Sequence, residues 1–188
     1  GGNKLGGKMG RLGLVKVAGK TAKINLERLY LYYFKTWGVH TEVVFYDPAW
    51  EKIKEICKKR KMVWFVTTPV NYEYTKAFFN CELSKKKYSE VILKRYKEME
   101  RMGQKIQLHV HLSMENNMFY KKQRKMVNES LEWMKKNGFN VTEFVPGWWT
   151  YNKDLFRILK ELKLKPVKKS DYYAIHDYEL ISGNAHLW

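Results

Sequence analysis

Gly103-Gln-Lys-Ile-Gln-Leu-His109-Val-His111 sets a helix stop, a strand and two imidazoles side by side in one short run. Alternate residues of a strand project to the same face, so His109 and His111 converge, and as neutral rings they can share one ion. The bland alternative is a pair of polar residues on a solvated strand face. Upstream, Tyr88, Val91, Ile92, Arg95, Tyr96 and Met99 recur at helical spacing between Ser84 and Met102, and Gly103 is a suitable end for that helix. A helix closed by glycine and followed at once by a strand is one step of a βα-repeating chain.

The step recurs on both sides. Asp47-Pro48 is expected to open a helix, with Asp47 as cap, Pro48 at the first helical position, and Trp50, Ile53, Ile56 and Cys57 on one face. Lys61 to Thr67 reads as an apolar strand ended by Pro69, which leaves Thr67, Thr68 and Asn71 at its C-terminal end. Further along, Met118 to Asn137 forms a helix closed by Gly138, and Val141 to Val145 a strand. Asn152 to Leu164 is another helix, and Tyr172 to His176 the last strand. Ala22 to Leu26 is the first strand expected. These alternations predict a single α/β domain over residues 21–188, preceded by a Gly/Lys-rich flexible leader at 1–20.

Composition narrows the class of function. The chain has 188 residues, with 36 Lys+Arg against 19 Asp+Glu, and its net charge of +17 raises binding of a polyanion through a basic surface as one expectation. An apolar content of 45% with 15% aromatics excludes a disordered basic tail. Cys57 and Cys81 lack the spacing of a disulfide framework or a thiolate zinc site, which suggests a reducing, cytoplasmic setting. Apolar runs are far too short to span a bilayer. Ala18-Gly-Lys-Thr21 has part of a phosphate-loop pattern, but Gly13 stands one residue too far upstream. Oligomeric state is not legible.

Two further segments carry chemistry. Phe144-Val-Pro-Gly-Trp-Trp-Thr-Tyr-Asn152 follows a strand and offers Trp148, Trp149 and Tyr151 as platforms for sugar faces, with Asn152 for hydroxyls. A hydrophobic plug between helices is the competing reading. His176-Asp-Tyr-Glu179 closes the last strand with a histidine able to deliver a proton.

In this order the segments resemble the polysaccharide deacetylases, the NodB-homology domains of carbohydrate esterase family 4 (CE4). Trp64-Phe65-Val66-Thr67 is similar to that family's TFFV-like strand, and Gly103 to His111 to its histidine motif in the variant LHxH. Phe144 to Asn152 resembles its PG-aromatic loop, Leu155 to Lys165 the helix that follows, and Ala174-Ile-His176 the late strand ending in a histidine. The resemblance implies a distorted (β/α) barrel with a divalent metal, zinc by expectation, bound by one carboxylate and two histidines. It also implies an acylated carbohydrate as substrate and hydrolysis of acetyl groups from an amino sugar or related amide.

On that resemblance His109 and His111 are metal ligands, with His111 replacing a histidine that the family carries at the position of Ser113. Glu27 is the preferred carboxylate, from Ile24-Asn-Leu-Glu27, which keeps the family's DxE spacing with Asn25 in the catalytic Asp position. Asp47 is the alternative carboxylate. His176 is the catalytic acid. Asn25 is a neutral amide that cannot accept a proton, and Val145 stands where the family has an orienting arginine. Losing both predicts altered or absent catalysis, with an inactive NodB-fold glycan-binding or scaffold protein as one alternative and a basic nucleic-acid-binding protein as another.

Overall fold

The structure is a computed structural model that describes Tyr30, Tyr33, residues 35–112 and residues 120–182. The expected strand Ala22 to Leu26 lies outside the described residues, as do Asn25 and Glu27.

Six strands form one sheet: β1 (Trp37–His40), β2 (Val63–Val66), β3 (Lys105–Val110), β4 (Glu143–Pro146), β5 (Lys165–Pro166) and β6 (Tyr173–His176). Their order is β5-β4-β3-β2-β1-β6, and every pairing is parallel. Helices return the chain between strands: α1 (Asp47–Lys59), α2 (Tyr72–Phe79), α3 (Lys85–Arg101), α4 (Tyr120–Lys136), α5 (Lys153–Glu161) and the short α6 (Asp177–Ile181). The sheet curls into a half-barrel, the distorted (β/α) architecture expected from the sequence. All strands run the same way, so their C-terminal ends meet at one mouth.

Local chemistry explains the helix limits. Ser84 caps α3 by accepting from Lys87 N–H at 3.2 Å, and Asn152 caps α5 by accepting from Leu155 N–H at 2.8 Å. Gly103 (φ 78°) and Gly138 (φ 76°) end α3 and α4 in the left-handed region that glycine enters without a Cβ penalty. One expectation is corrected at α1. Pro48 does open it, but Tyr46 is the N-cap and makes no side-chain cap bond, whereas Asp47 lies in the first turn and pairs with Arg95. The Arg95 guanidinium also donates to Val44 O at 2.7 Å, so Asp47 belongs to a clamp between α1 and α3.

Period-two alternation sorts the strand side chains. Val39, Trp64, Val66, Ile106, Leu108 and Phe144 face outward, into the layer filled by helix residues such as Ile53, Ile92, Tyr96, Leu131 and Ile158. Val63, Phe65, Val145 and Val167 face inward, under Tyr172 and Trp149. His109 shares the inner face with them. Gly38 does so too, since a Cβ there would meet Tyr172 and Phe65 at 2.9–3.1 Å. Near the strand starts, Gln104 Oε1 accepts from Met62 N–H and Trp64 Nε1–H, while its Nε2 donates to Cys57 O and Arg60 O. This one amide joins α1, β2 and β3.

Candidate metal centre

The mouth of the half-barrel collects Glu42, just past β1, with His109 and His111 at the end of β3. All three are buried. His111 Nε2 lies 3.0 Å from both Glu42 Oε1 and His109 Nε2, and His109 Nε2 lies 3.5 Å from Glu42 Oε1. Donors at the corners of a tetrahedron with arms of 2.0–2.1 Å are about 3.3 Å apart, so this triangle has the size of a zinc-type ligand set.

Hydrogen-bond inventory points the same way. His109 Nδ1 donates to Val145 O at 3.0 Å, which leaves the lone pair on Nε2, pointed at the other two donors. Three electron-rich atoms then meet with at most one proton among them, on His111 Nε2. A divalent cation fits that gap.

Charge states match. Burial pushes the Glu42 carboxyl upward, but the neighbouring His109 and His111 imidazoles outweigh it and hold the carboxyl at about 2. Burial, aided by neighbouring His109, lowers His111 to about 4 against the pull of Glu42. An anionic carboxylate beside a neutral imidazole is the state that a metal requires.

Neighbours hold each ligand in place. Asn71 grips the His111 backbone from both sides, with Nδ2 donating to His111 O at 2.8 Å and Oδ1 accepting from His111 N–H at 3.3 Å. Tyr74 stacks on the His111 ring at 3.7 Å. Gly147 packs against His111, where a Cβ would collide with its Nδ1. Asp177 Oδ2 accepts from Glu42 N–H and Val43 N–H, both at 2.9 Å, tying the end of β6 to the end of β1. Burial and the charge of Glu42 raise Asp177 to about 8 despite these donors.

The residues singled out from sequence fall as follows. His109 and His111 come together at the triad. His176 stands beside it, with Nδ1 3.8 Å from Glu42 Oε1 and its ring stacked on Tyr178. Trp149 lies over His40 at 5.3 Å, whereas Trp148 turns to solvent, 65% exposed. Both tryptophans have positive φ, 58° and 56°. The Tyr151 hydroxyl donates to Val167 O at 2.7 Å, and Asn152 caps α5, so both polar groups are engaged in structure. Asp47 is tied to Arg95 and is not one of the clustered donors.

Glu42, the triad's carboxylate, was not anticipated. Neither were His40, Tyr74 and Asp177 as members of the site; Asn71 sits beyond the end of β2, where the sequence places it. The missing step was β1. Trp37-Gly-Val-His40 is a short strand with glycine inside it, and reading it as one would have put His40-Thr-Glu42 at the mouth with the same one-residue gap as a DxE pair.

No protein-family model matches the sequence, and no curated protein matches it. Solved structures do. A mutant CE4 family pseudoenzyme with restored enzymatic activity superposes with a TM-score of 0.53 at 12% identity, over 71% of this chain and 43% of that one. Another mutant structure described as a CE4 family pseudoenzyme gives 0.52 at 14% identity, over 72% and 45%. Peptidoglycan deacetylase PdaC from Bacillus subtilis, also a mutant, gives 0.45 at 15% identity, over 72% and 59%. This chain therefore spans less than half the length of the first two. Its fold is that of the CE4, or NodB-homology, barrel.

Proposed function

We propose that this chain is a divergent, metal-dependent hydrolase of the polysaccharide deacetylase type, removing acetyl groups from an amino sugar or related amide. The observation that carries the reading is the buried Glu42–His109–His111 triangle at the strand ends of a CE4-type half-barrel. When bound, a divalent ion such as zinc polarises an acyl carbonyl and acidifies a coordinated water. Glu42 Oε1, His109 Nε2 and His111 Nε2 would hold it, and the Val145 carbonyl fixes the His109 tautomer. His176, at the edge of the triad, takes a proton from the attacking water at Nδ1 and returns it to the departing amine. Trp148, with its ring in solvent, offers an apolar face to a sugar.

A second reading is favoured by one observation. Asp177, the carboxylate beside Glu42, gives Oδ2 to the Glu42 and Val43 amides, and burial raises it to about 8, so near neutral pH it keeps its proton and does not serve as a general base. In that case the chain is a glycan-binding or scaffold protein on a decayed hydrolase site. Elemental analysis of the purified protein, with acetate release and equilibrium binding measured on chito-oligosaccharides, separates the two. One ion per chain, lost in His109→Ala together with acetate release, is the expected result. Glycan binding without acetate release selects the second reading. A metal-free protein whose activity survives His109→Ala ends the first.

A further inference from the structure

His40 ends β1 two residues before Glu42, and a strand places such positions on the same face. Its ring is surrounded: His109 lies at 4.9 Å, His176 at 5.2 Å, Trp149 at 5.3 Å and Phe65 at 5.7 Å. The residue is 3% exposed, and its Nε2 is buried without a hydrogen-bond partner. Polar atoms in such places normally find partners, and an apolar side chain of similar size would have met no such demand.

Nor is His40 one of the ligands. The donor atoms that come within 4.8 Å of one another belong to Glu42, His109 and His111 alone among the described residues. Three protein donors leave an ion with an open position, the arrangement of a site that takes a water or substrate oxygen. Beside that triad stand two buried nitrogens without hydrogen-bond partners, His40 Nε2 and His176 Nδ1. The Trp149 ring is tilted against that of His40.

We infer that His40 Nε2 is the hydrogen-bonding group for the oxygen ligand that completes the coordination of the ion, so that an acyl or carboxylate oxygen is held between the ion and this ring. The inference rests on the metal-dependent reading above and names its ligand class, small acyl compounds and the carboxylates they release.

Cobalt(II) loading of the full chain tests it, with acetate as probe and visible absorption as readout. The unaltered protein is expected to take up one cobalt and change its spectrum on acetate addition. His40→Leu is expected to keep one cobalt with similar affinity while its acetate affinity falls about tenfold, and His40→Gln to recover part of the loss. Circular dichroism checks that each variant is folded, and the glutamine variant decides the matter where leucine disrupts folding. Acetate binding equal to that of the unaltered protein in both variants overturns the role, as does a cobalt spectrum that acetate never changes. Loss of cobalt from both folded variants overturns it too, by making His40 a ligand. Failure of the unaltered protein to bind cobalt is a separate outcome that removes the metal reading and this role together.

Discussion

The environment of His111 leaves no slack. Tyr74 covers one side of its ring, Asn71 fixes its backbone and Gly147 admits it only because no Cβ is there. Gly147→Ala is expected to cost about 1–3 kcal/mol in denaturant unfolding, as an overpacking substitution, and to weaken metal uptake because the ring must move. Unchanged stability and unchanged metal affinity would show that the contact is soft. Titration gives a second expectation. His111 is lowered to about 4 from 6.5, chiefly by burial, and His40 and His176 are lowered in the same direction for the same reason. In metal-free protein these rings favour the folded state fully above pH 6.5, and their contribution falls as pH drops toward 4, where the unfolded chain binds protons that the folded one does not. Asp177 has the opposite sign. Raised from 3.8 to about 8, it contributes stability that is full below pH 3.8 and is lost progressively as pH rises to about 8, so Asp177→Asn is expected to remove that decline, most visibly between pH 6.5 and 8 where the histidines no longer titrate. An unchanged slope between pH 6.5 and 8 would refute that assignment. At this scale the two ligand histidines were legible because their spacing alone puts them on one face. Glu42 was not, because a carboxylate carries no signal until its strand is recognised.

Elements with a long apolar period or a glycine stop were readable, and α3 with β3 is the clearest case: Ser84, the buried face and Gly103 all act as their chemistry suggests. Short parallel strands were harder. β1 is four residues long, is buried along its whole length and has no alternation for a pattern to find. Its identity comes from pairing with β2 and β6, which only the folded chain reveals. The first β2-side contacts depend in turn on Gln104, whose amide serves four backbone and side-chain groups across three elements. Gln104→Leu leaves those groups buried and unpaired, and a loss of about 3 kcal/mol in urea unfolding is expected. Gln104→Glu keeps the acceptor for Met62 and Trp64 but not the donor to Cys57 and Arg60, so it should also destabilise the fold. A leucine variant as stable as the original protein would mean that water replaces the amide.

For the whole molecule, the parallel topology sends the C-termini of α1, α3, α4 and α5, each followed by a strand, to the end of the half-barrel opposite the mouth. Lys58 and Lys59 of α1, Arg101 of α3, Lys135 and Lys136 of α4 and Lys160 of α5 all lie in last turns, where cations offset the helix dipole. Part of the +17 charge therefore has a structural reason. Attraction of polyanions by such a surface needs no shaped site. Binding to heparin or single-stranded nucleic acid at low ionic strength is expected to fall steeply with added salt, as counterion release requires, and to be the same in His109→Ala. Dependence on His109 would instead draw the polyanion into the mouth and make it a ligand of the metal centre. Affinity that survives about 0.5 M salt, where screening is strong, would reveal a shaped nucleic-acid site and displace the hydrolase reading as the main function.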